Sequence, residues 1–378
     1  MRARWLDHPA RVAAIAGLIA CCYMVLQWTQ NAHDVSRFIV VGRLFVTPPG
    51  PPDVHVTPHA GYDGQFYYRM ALAPGQLDGI VNGLHLDSGL RRQRIFYPFL
   101  SWVLSAGNPR LIPTMLIEVN LAALTLLAGC GARLAQVNGR HAAWGFAFAG
   151  YAGFVTTLNR DLTELTSAAL TVAALLALAL RRPVLATLAL VLDVLTRETA
   201  VALVAGIAVW RIWQIVRGRT RPGVADLQWL LPAVAFTIWQ WVNASRYGTP
   251  PLRDERNNRG RFIVSAWQSV IEAATHLNRL HLIFIGGVLS LAVLVLGVFF
   301  ELRRSRPPAY LVVTLAVLTL LALSLSRSVW NQDPDELRTF AEIHVLGLAI
   351  LMHARRSKVL AGYTAVALPT LMLLAWAT

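Results

Sequence analysis

The feature that most constrains this chain is a succession of apolar runs separated by short charged connectors. They lie near 12–28, 111–130, 142–158, 162–180, 199–216, 227–245, 281–300, 309–326, 339–354 and 359–377, with a shorter one at 184–196. A hydrocarbon core of about 30 Å needs about 20 helical residues, so runs of this length read as transmembrane helices. Composition points the same way: 14% of residues are charged, against about 25% in soluble domains. The expectation is an all-α polytopic membrane protein, 1–378 forming a single transmembrane domain of about 11 transmembrane helices, roughly 10 to 12. The first run follows Arg2, Arg4 and Arg11 and continues into Gln27, Trp28 and Thr29 without a small-residue cleavage site. It reads as a retained anchor.

Arginine placement suggests an orientation. Alternate connectors are short and basic: Arg133 and Arg140, Arg181 and Arg182, Arg211 through Arg221, Arg303 through Arg306, and Arg355 through Lys358. The positive-inside rule puts these, and the N-terminus, in the cytoplasm. Three extracytoplasmic loops follow, at 29–110, 246–280 and 326–338, and the active face is expected there. The formal charge of +14 then reflects membrane orientation and phosphate handling, and no nucleic-acid partner is expected, since no soluble basic domain could hold a duplex. Neither a Walker glycine-lysine motif, nor H-E-x-x-H, nor a G-x-S-x-G elbow occurs. The three cysteines have no metal spacing, so no metal site and no cofactor is assigned.

The first long loop carries the most specific residues. TPPGPPD at 47–53 forces an extended connector, and AGYDGQFYYRMALAP follows it. Phe66, Tyr67, Met70 and Ala71 share a face at helical spacing, which predicts an amphipathic helix in the membrane interface. Asp63 then stands at the first turn, either as an ordinary N-cap or as a carboxylate fixed for chemistry. A second interfacial helix is expected in SGLRRQRIFYPFLSWVLS at 88–105. Its arginines either contact anionic headgroups or, through Arg94 beside Tyr97, grip a phosphate with a guanidinium fork.

Further polar residues stand at the outer helix ends. They are Asn159, Arg160, Asp161 and Glu164, then Arg197–Glu198 after the short run that holds Asp193. Arg197–Glu198 is either a structural salt bridge or part of a polar cavity. Glu118 with Asn120 reads as a self-satisfying interhelical pair. Arg327, Asp333, Asp335 and Glu336 resemble a lid.

Taken together, GYDGQFYY, RIFYP, NRD at 159–161 and the short helix ending in Arg197–Glu198 resemble the GT-C superfamily of polyprenyl-phosphate-sugar-dependent membrane glycosyltransferases. The chain is also similar to uncharacterised bacterial polytopic membrane proteins carrying a YDGQFYY stretch. The resemblance implies an inverting transferase in a bacterial plasma membrane, moving a sugar from a polyprenyl-phosphate carrier to a lipid or glycan acceptor. Asp63 would be the general base and Arg94, Arg197 and Arg327 would hold the donor phosphate. Tyr62, Gln65, Tyr67, Arg69, Tyr97, Arg160, Asp161, Glu164 and Glu198 would line the cavity or meet the acceptor. A divalent cation stays open, since Asp63 with Asp161 or Glu198 could bind one only if loop and helix ends converge. The alternative is a transporter or flippase of a lipid-linked or anionic substrate, for which buried charges are equally suited.

Overall fold

The apolar runs do form helices, and the computed structural model describes them over residues 5–253, 259–331, 334–354 and 358–377. Arg2, Arg4, Asp333 and Arg355 lie outside the described residues. The chain opens with α1 (Pro9–Gln30), whose proline occupies the first turn, where its missing N–H has no partner to lose. The segment after it then holds a 3-10 turn at Val35–Phe38, a two-residue parallel pair of β1 (Val41–Gly42) with β2 (Val56–Thr57), α2 (Gly64–Leu72), α3 (Gly89–Arg92) and α4 (Phe96–Leu104). The remaining helices are α5 (Ile112–Val137), α6 (Gly145–Ala149), α7 (Ala152–Arg160), α8 (Glu164–Ala179), α9 (Pro183–Val194), α10 (Ala200–Val216), α11 (Leu231–Tyr247) and α12 (Val264–Thr275). They continue with α13 (Arg279–Ser305), α14 (Ala309–Leu323), α15 (Ala341–Met352) and α16 (Lys358–Ala377). A 3-10 segment at Pro334–Phe340 precedes α15.

The architecture is all-α, but the expected number of about 11 crossings is overturned. Among the described residues only four helices are long and apolar enough to cross a membrane: Pro9–Gln30, Ile112–Val137, Arg279–Leu302 and Lys358–Ala377. The others fall short for identifiable reasons. The 142–158 run breaks at Gly150, where α6 ends and Tyr151 turns extended (φ −95°, ψ 133°) before α7. Helices α8, α9, α10, α11, α14 and α15 have 12 to 17 residues, or about 18–26 Å at 1.5 Å per residue. Every residue of α15 is buried, so its all-round hydrophobicity belongs to a core helix and not to a lipid-facing one. The four long helices make the chain membrane-associated. Leu18, Ile19, Val25 and Leu26 of α1, Phe299 and Phe300 of α13, and Met372 and Trp376 of α16 all stand exposed.

The interfacial placement of the first loop's helix also fails. Gly64 through Ala71 of α2 are all buried, because β1, α4 and α5 pack around this short helix on several sides. The glycines of GYDGQ explain its docking. Gly61 holds φ +74°, and a Cβ on Gly64 would lie 2.2 Å from the Arg160 carbonyl oxygen. A side chain there would push α2 off the end of α7. The second element breaks into α3 and α4, and Phe99, Trp102, Val103 and Leu104 of α4 stay exposed. Helix α5 is the central post, packed by α1, α4, α6 and α8. Helix α9 joins α8 to α11, α10 lies on α14, and the Pro334–Phe340 segment rests on α7.

Candidate functional site

Asp63 sits in the N-cap position of α2 with helical φ −59° and ψ −27°, and its side chain makes no capping hydrogen bond. Its carboxylate turns to two guanidiniums instead. Arg91 Nη2 of α3 donates to Oδ1 at 2.7 Å, and Arg338 Nη2 of the Pro334–Phe340 segment donates to Oδ2 at 2.9 Å. Burial alone would raise its pKa, but Arg91, then Arg338 and Arg94, hold the carboxyl well below the usual carboxylate range. Arg91 also reaches Asp87 at 3.4 Å.

Two more arginines, Arg94 and Arg197, are fixed around this centre, and Arg338 has further partners. Arg94 forks onto Glu198 through Nε at 3.0 Å and Nη2 at 2.5 Å, and donates Nη1 to the Tyr67 hydroxyl at 3.0 Å. Burial opposes the charge of Glu198, yet Arg94 keeps its carboxyl low. Arg338 donates Nη1 to Glu164 at 2.7 Å and Nε to the Tyr62 hydroxyl at 3.1 Å, with its guanidinium over the Tyr62 ring at 5.0 Å. Arg197 pairs with the same Glu164 oxygen and, at 2.9 Å, with Glu342. Thr199 donates to Glu342 at 2.7 Å.

These groups enclose one end of a cavity of about 920 Å³, within the range of small-molecule sites. Its lining includes the polar groups Asp63, Arg91, Arg94, Arg197, Glu198 and Arg338 and the apolar side chains Phe236, Leu318, Leu321, Leu325 and Ile343. Five arginines (91, 94, 197, 259 and 338) meet five carboxylates (63, 87, 198, 336 and 342) in the lining. Net charge therefore does not draw an anion in. An anion would have to take N–H groups from those carboxylates or meet Arg259, which has no carboxylate partner among the described residues.

Of the residues singled out in sequence, Asp63, Arg94, Arg197, Glu198, Tyr62 and Gln65 meet at the cavity. Tyr67 supports Arg94, and Glu164 supports Arg197 and Arg338 from behind. Phe66 and Glu336 also line the cavity, and the remaining candidates do not. Gln65 itself is partly structural, accepting from the Gly42 amide and donating to Ala60. Arg69 is fully buried and donates to the carbonyls of Gln76, Asp78 and Gly79. Tyr97 bridges Asn120 and the Leu116 carbonyl. Arg160 pairs with Asp335 at 2.9 Å and covers Tyr62. Arg327 is exposed and pairs with Glu272, outside the lining.

Asp161 is fully buried at φ +49°, with neither carboxylate oxygen hydrogen-bonded. Burial pushes its pKa well up, which favours the neutral acid. The convergence that a divalent ion requires does not form: Asp161 is not in the cavity lining, and Asp63 and Glu198 are each engaged by arginine. Among the described residues, no group of three or more His, Cys, Asp or Glu could hold a metal. Glu118 is exposed and does not pair with Asn120, because residues two apart on a helix face different ways. Asp193 instead accepts from Ser167 at 2.6 Å and Thr171 at 2.5 Å.

Sequence reasoning missed Arg338 and Glu342 and undervalued Arg91. Glu342 had a signal, an ionisable residue opening the apolar run FAEIHVLGLAILM. Arg338 had none, because nothing in the 326–338 connector set it apart from its charged neighbours. Comparison with protein-family models, curated proteins and solved structures found no match to this chain.

Proposed function

We propose that the cavity binds a polyprenyl-phosphate-linked sugar and that the chain is an inverting glycosyltransferase acting on an extracytoplasmic hydroxyl acceptor. The observation that carries this reading is one cavity whose lining holds Asp63 and five arginines together with apolar residues of α11, α14 and α15. A lipid-linked sugar phosphate has the same division of chemistry. Its phosphate suits guanidinium forks, and its tail suits Leu318, Leu321 and Leu325.

The reaction is a single displacement. The acceptor O–H gives its proton to Asp63 while its oxygen bonds to the anomeric carbon. The bond from that carbon to the phosphate oxygen breaks, its electron pair stays on the phosphate, and the carrier leaves as polyprenyl phosphate. Arginines near the phosphate stabilise the charge that develops on it. Asp63, held by Arg91 and Arg338, is a weak base in this state. A phosphate that draws those guanidiniums toward itself raises the basicity of Asp63, so donor binding readies the base. This reading takes the N-terminus as cytoplasmic, because Arg2, Arg4 and Arg11 stand at the start of the first apolar run, and takes the cavity to open on the extracytoplasmic face of a bacterial plasma membrane.

The test is transfer of radiolabelled sugar from polyprenyl-phosphate carriers by the purified protein in nanodiscs. Transfer with inversion at the anomeric carbon is expected. No transfer across a panel of carriers, with saturable lipid or anion movement in proteoliposomes, would assign the cavity to transport. Accessibility labelling of cysteines introduced at 40–60 and 215–221 tests the orientation, and labelling of 40–60 only from the cytoplasm would overturn it.

A further inference from the structure

A second cleft, of about 390 Å³, lies beside the cavity and is lined by Asp78, His85, Asp87, Ser88 and Arg92 with Leu77 and Leu86. Asp78 and Asp87 are exposed and His85, Ser88 and Arg92 half-buried, and the backbone beneath them is held by side chains from other elements. Arg69, fully buried, commits its guanidinium to the carbonyls of Gln76 (2.5 Å), Asp78 (2.5 Å) and Gly79 (3.1 Å). The Tyr247 hydroxyl accepts from the Leu77 amide at 3.1 Å, and Arg92 lies over the Tyr247 ring at 4.7 Å. The Trp239 indole N–H holds the Arg92 carbonyl at 3.0 Å. His85 is fixed against Thr47 at 2.5 Å. A loop held by so many backbone contacts keeps its shape before any ligand arrives, which lowers the ordering cost of binding.

The two spaces share a wall. Asp87 lines both the cleft and the cavity. It is 3.4 Å from Arg91, whose other contact is Asp63 at 2.7 Å. The chemistry of the cleft differs from that of the cavity, because two carboxylates face one guanidinium and one imidazole, with little apolar wall. Two carboxylates repel a phosphate, and a polar wall gives a lipid tail nothing to bury against. Hydroxyl groups, which both donate and accept, match this mixture.

We propose that this cleft is the acceptor subsite, taking the end of an uncharged, water-borne glycan whose reacting hydroxyl passes Asp87 to reach Asp63. The inference rests on the transferase reading and narrows the acceptor to a glycan. Asp78 and Arg92 grip sugar hydroxyls, and Arg69 and Tyr247 are positioning residues that hold the 76–79 loop.

The experiment is saturation-transfer NMR of a panel of linear tetrasaccharides of glucose, mannose, galactose, N-acetylglucosamine and arabinose with the full chain in nanodiscs. Binding of a polyprenyl-phosphate sugar is measured in the same samples, beside melting curves. At least one tetrasaccharide is expected to bind the wild type. Asp78→Asn and Arg92→Gln should each weaken it by about tenfold, the loss of one charge-assisted hydrogen bond, without a lower melting temperature. Arg327→Ala, outside both spaces, should bind as the wild type. Wild type that binds the donor but no tetrasaccharide overturns the cleft and spares the transferase. Tetrasaccharide binding unaffected by Asp78→Asn and Arg92→Gln also overturns the cleft. Tetrasaccharide binding that is lost in both variants, in a protein that takes no donor, supports the glycan site and removes the transferase reading instead.

Discussion

Two arginine–carboxylate groups stand side by side in this protein and are built for different work. In the first, Asp63 meets Arg91 and Arg338, with side-chain exposures of 15%, 18% and 10%. In the second, Arg197 meets Glu164 and Glu342, with exposures of 4%, 0% and 6%. Both are built of arginine and carboxylate, but the first sets two guanidiniums on one carboxylate and the second two carboxylates on one guanidinium, and the second is the less accessible. The second, more deeply sealed group joins the start of α8 and the start of α15 to the turn before α10; Arg197 and Glu342 edge the cavity, but at these exposures a charge deprived of its partner meets little water. The first group is the more open to the cavity, so a ligand's phosphate can replace a carboxylate partner there. Arg338 touches Asp63 and Glu164, so the exchangeable group is anchored to the fixed one.

The comparison breaks most visibly at Arg197. Arg197→Ala should cost about 3–5 kcal/mol, because two buried carboxylates lose their shared cation. Thermal or denaturant unfolding in detergent measures it, and a loss below about 1 kcal/mol would mean the sealed group is not a frame.

Asp63→Asn should behave in the opposite way. Transfer should fall by about 10²- to 10⁴-fold as the proton acceptor is lost, while the melting temperature moves much less than for Arg197→Ala. The pair of melting curves, beside a transfer assay, decides it. A stability loss equal to that of Arg197→Ala would erase the distinction between the groups.

Acid sharpens the contrast. The folded pKa of Asp63 is depressed, so its contribution to stability is complete above the unfolded value of about 3.9 and is lost as pH falls through that value toward the folded one. Wild type should lose melting temperature between about pH 5 and pH 3, and Asp63→Asn should lose less over the same window. Parallel curves would show that Asp63 gains nothing from its guanidiniums.

The smallest effect is expected at Arg327, whose pair with Glu272 is exposed. Arg327→Ala should change stability by no more than about 0.5 kcal/mol and leave donor affinity unaltered. A tenfold loss of donor binding would return Arg327 to the phosphate site.

Much of the local structure was legible in the residues. The runs at 12–28 and 359–377 became α1 and α16 with small shifts at the ends. What failed was the step from helix to crossing. Hydropathy is the same for α15, buried on every side, as for a helix in lipid, and only its neighbours tell them apart. The burial of α2 was hidden for a similar reason: Tyr67 and Tyr68 read as interfacial because aromatic rings with hydroxyls suit headgroups, yet both are buried here.

The sequence by itself determined that the chain is helical and membrane-associated, and that its ionisable residues gather at helix ends and in the 60–98 segment. Those are properties of neighbours along the chain, set by apolar spacing and by the expense of charge in an apolar run. The tertiary structure alone decided that Asp63 faces Arg91 and Arg338, 28 and 275 residues away, and that Arg327 faces Glu272 at the surface instead. Ion pairing depends on separations of a few ångströms, and no periodicity in a sequence encodes which distant charges the packing of helices will bring that close.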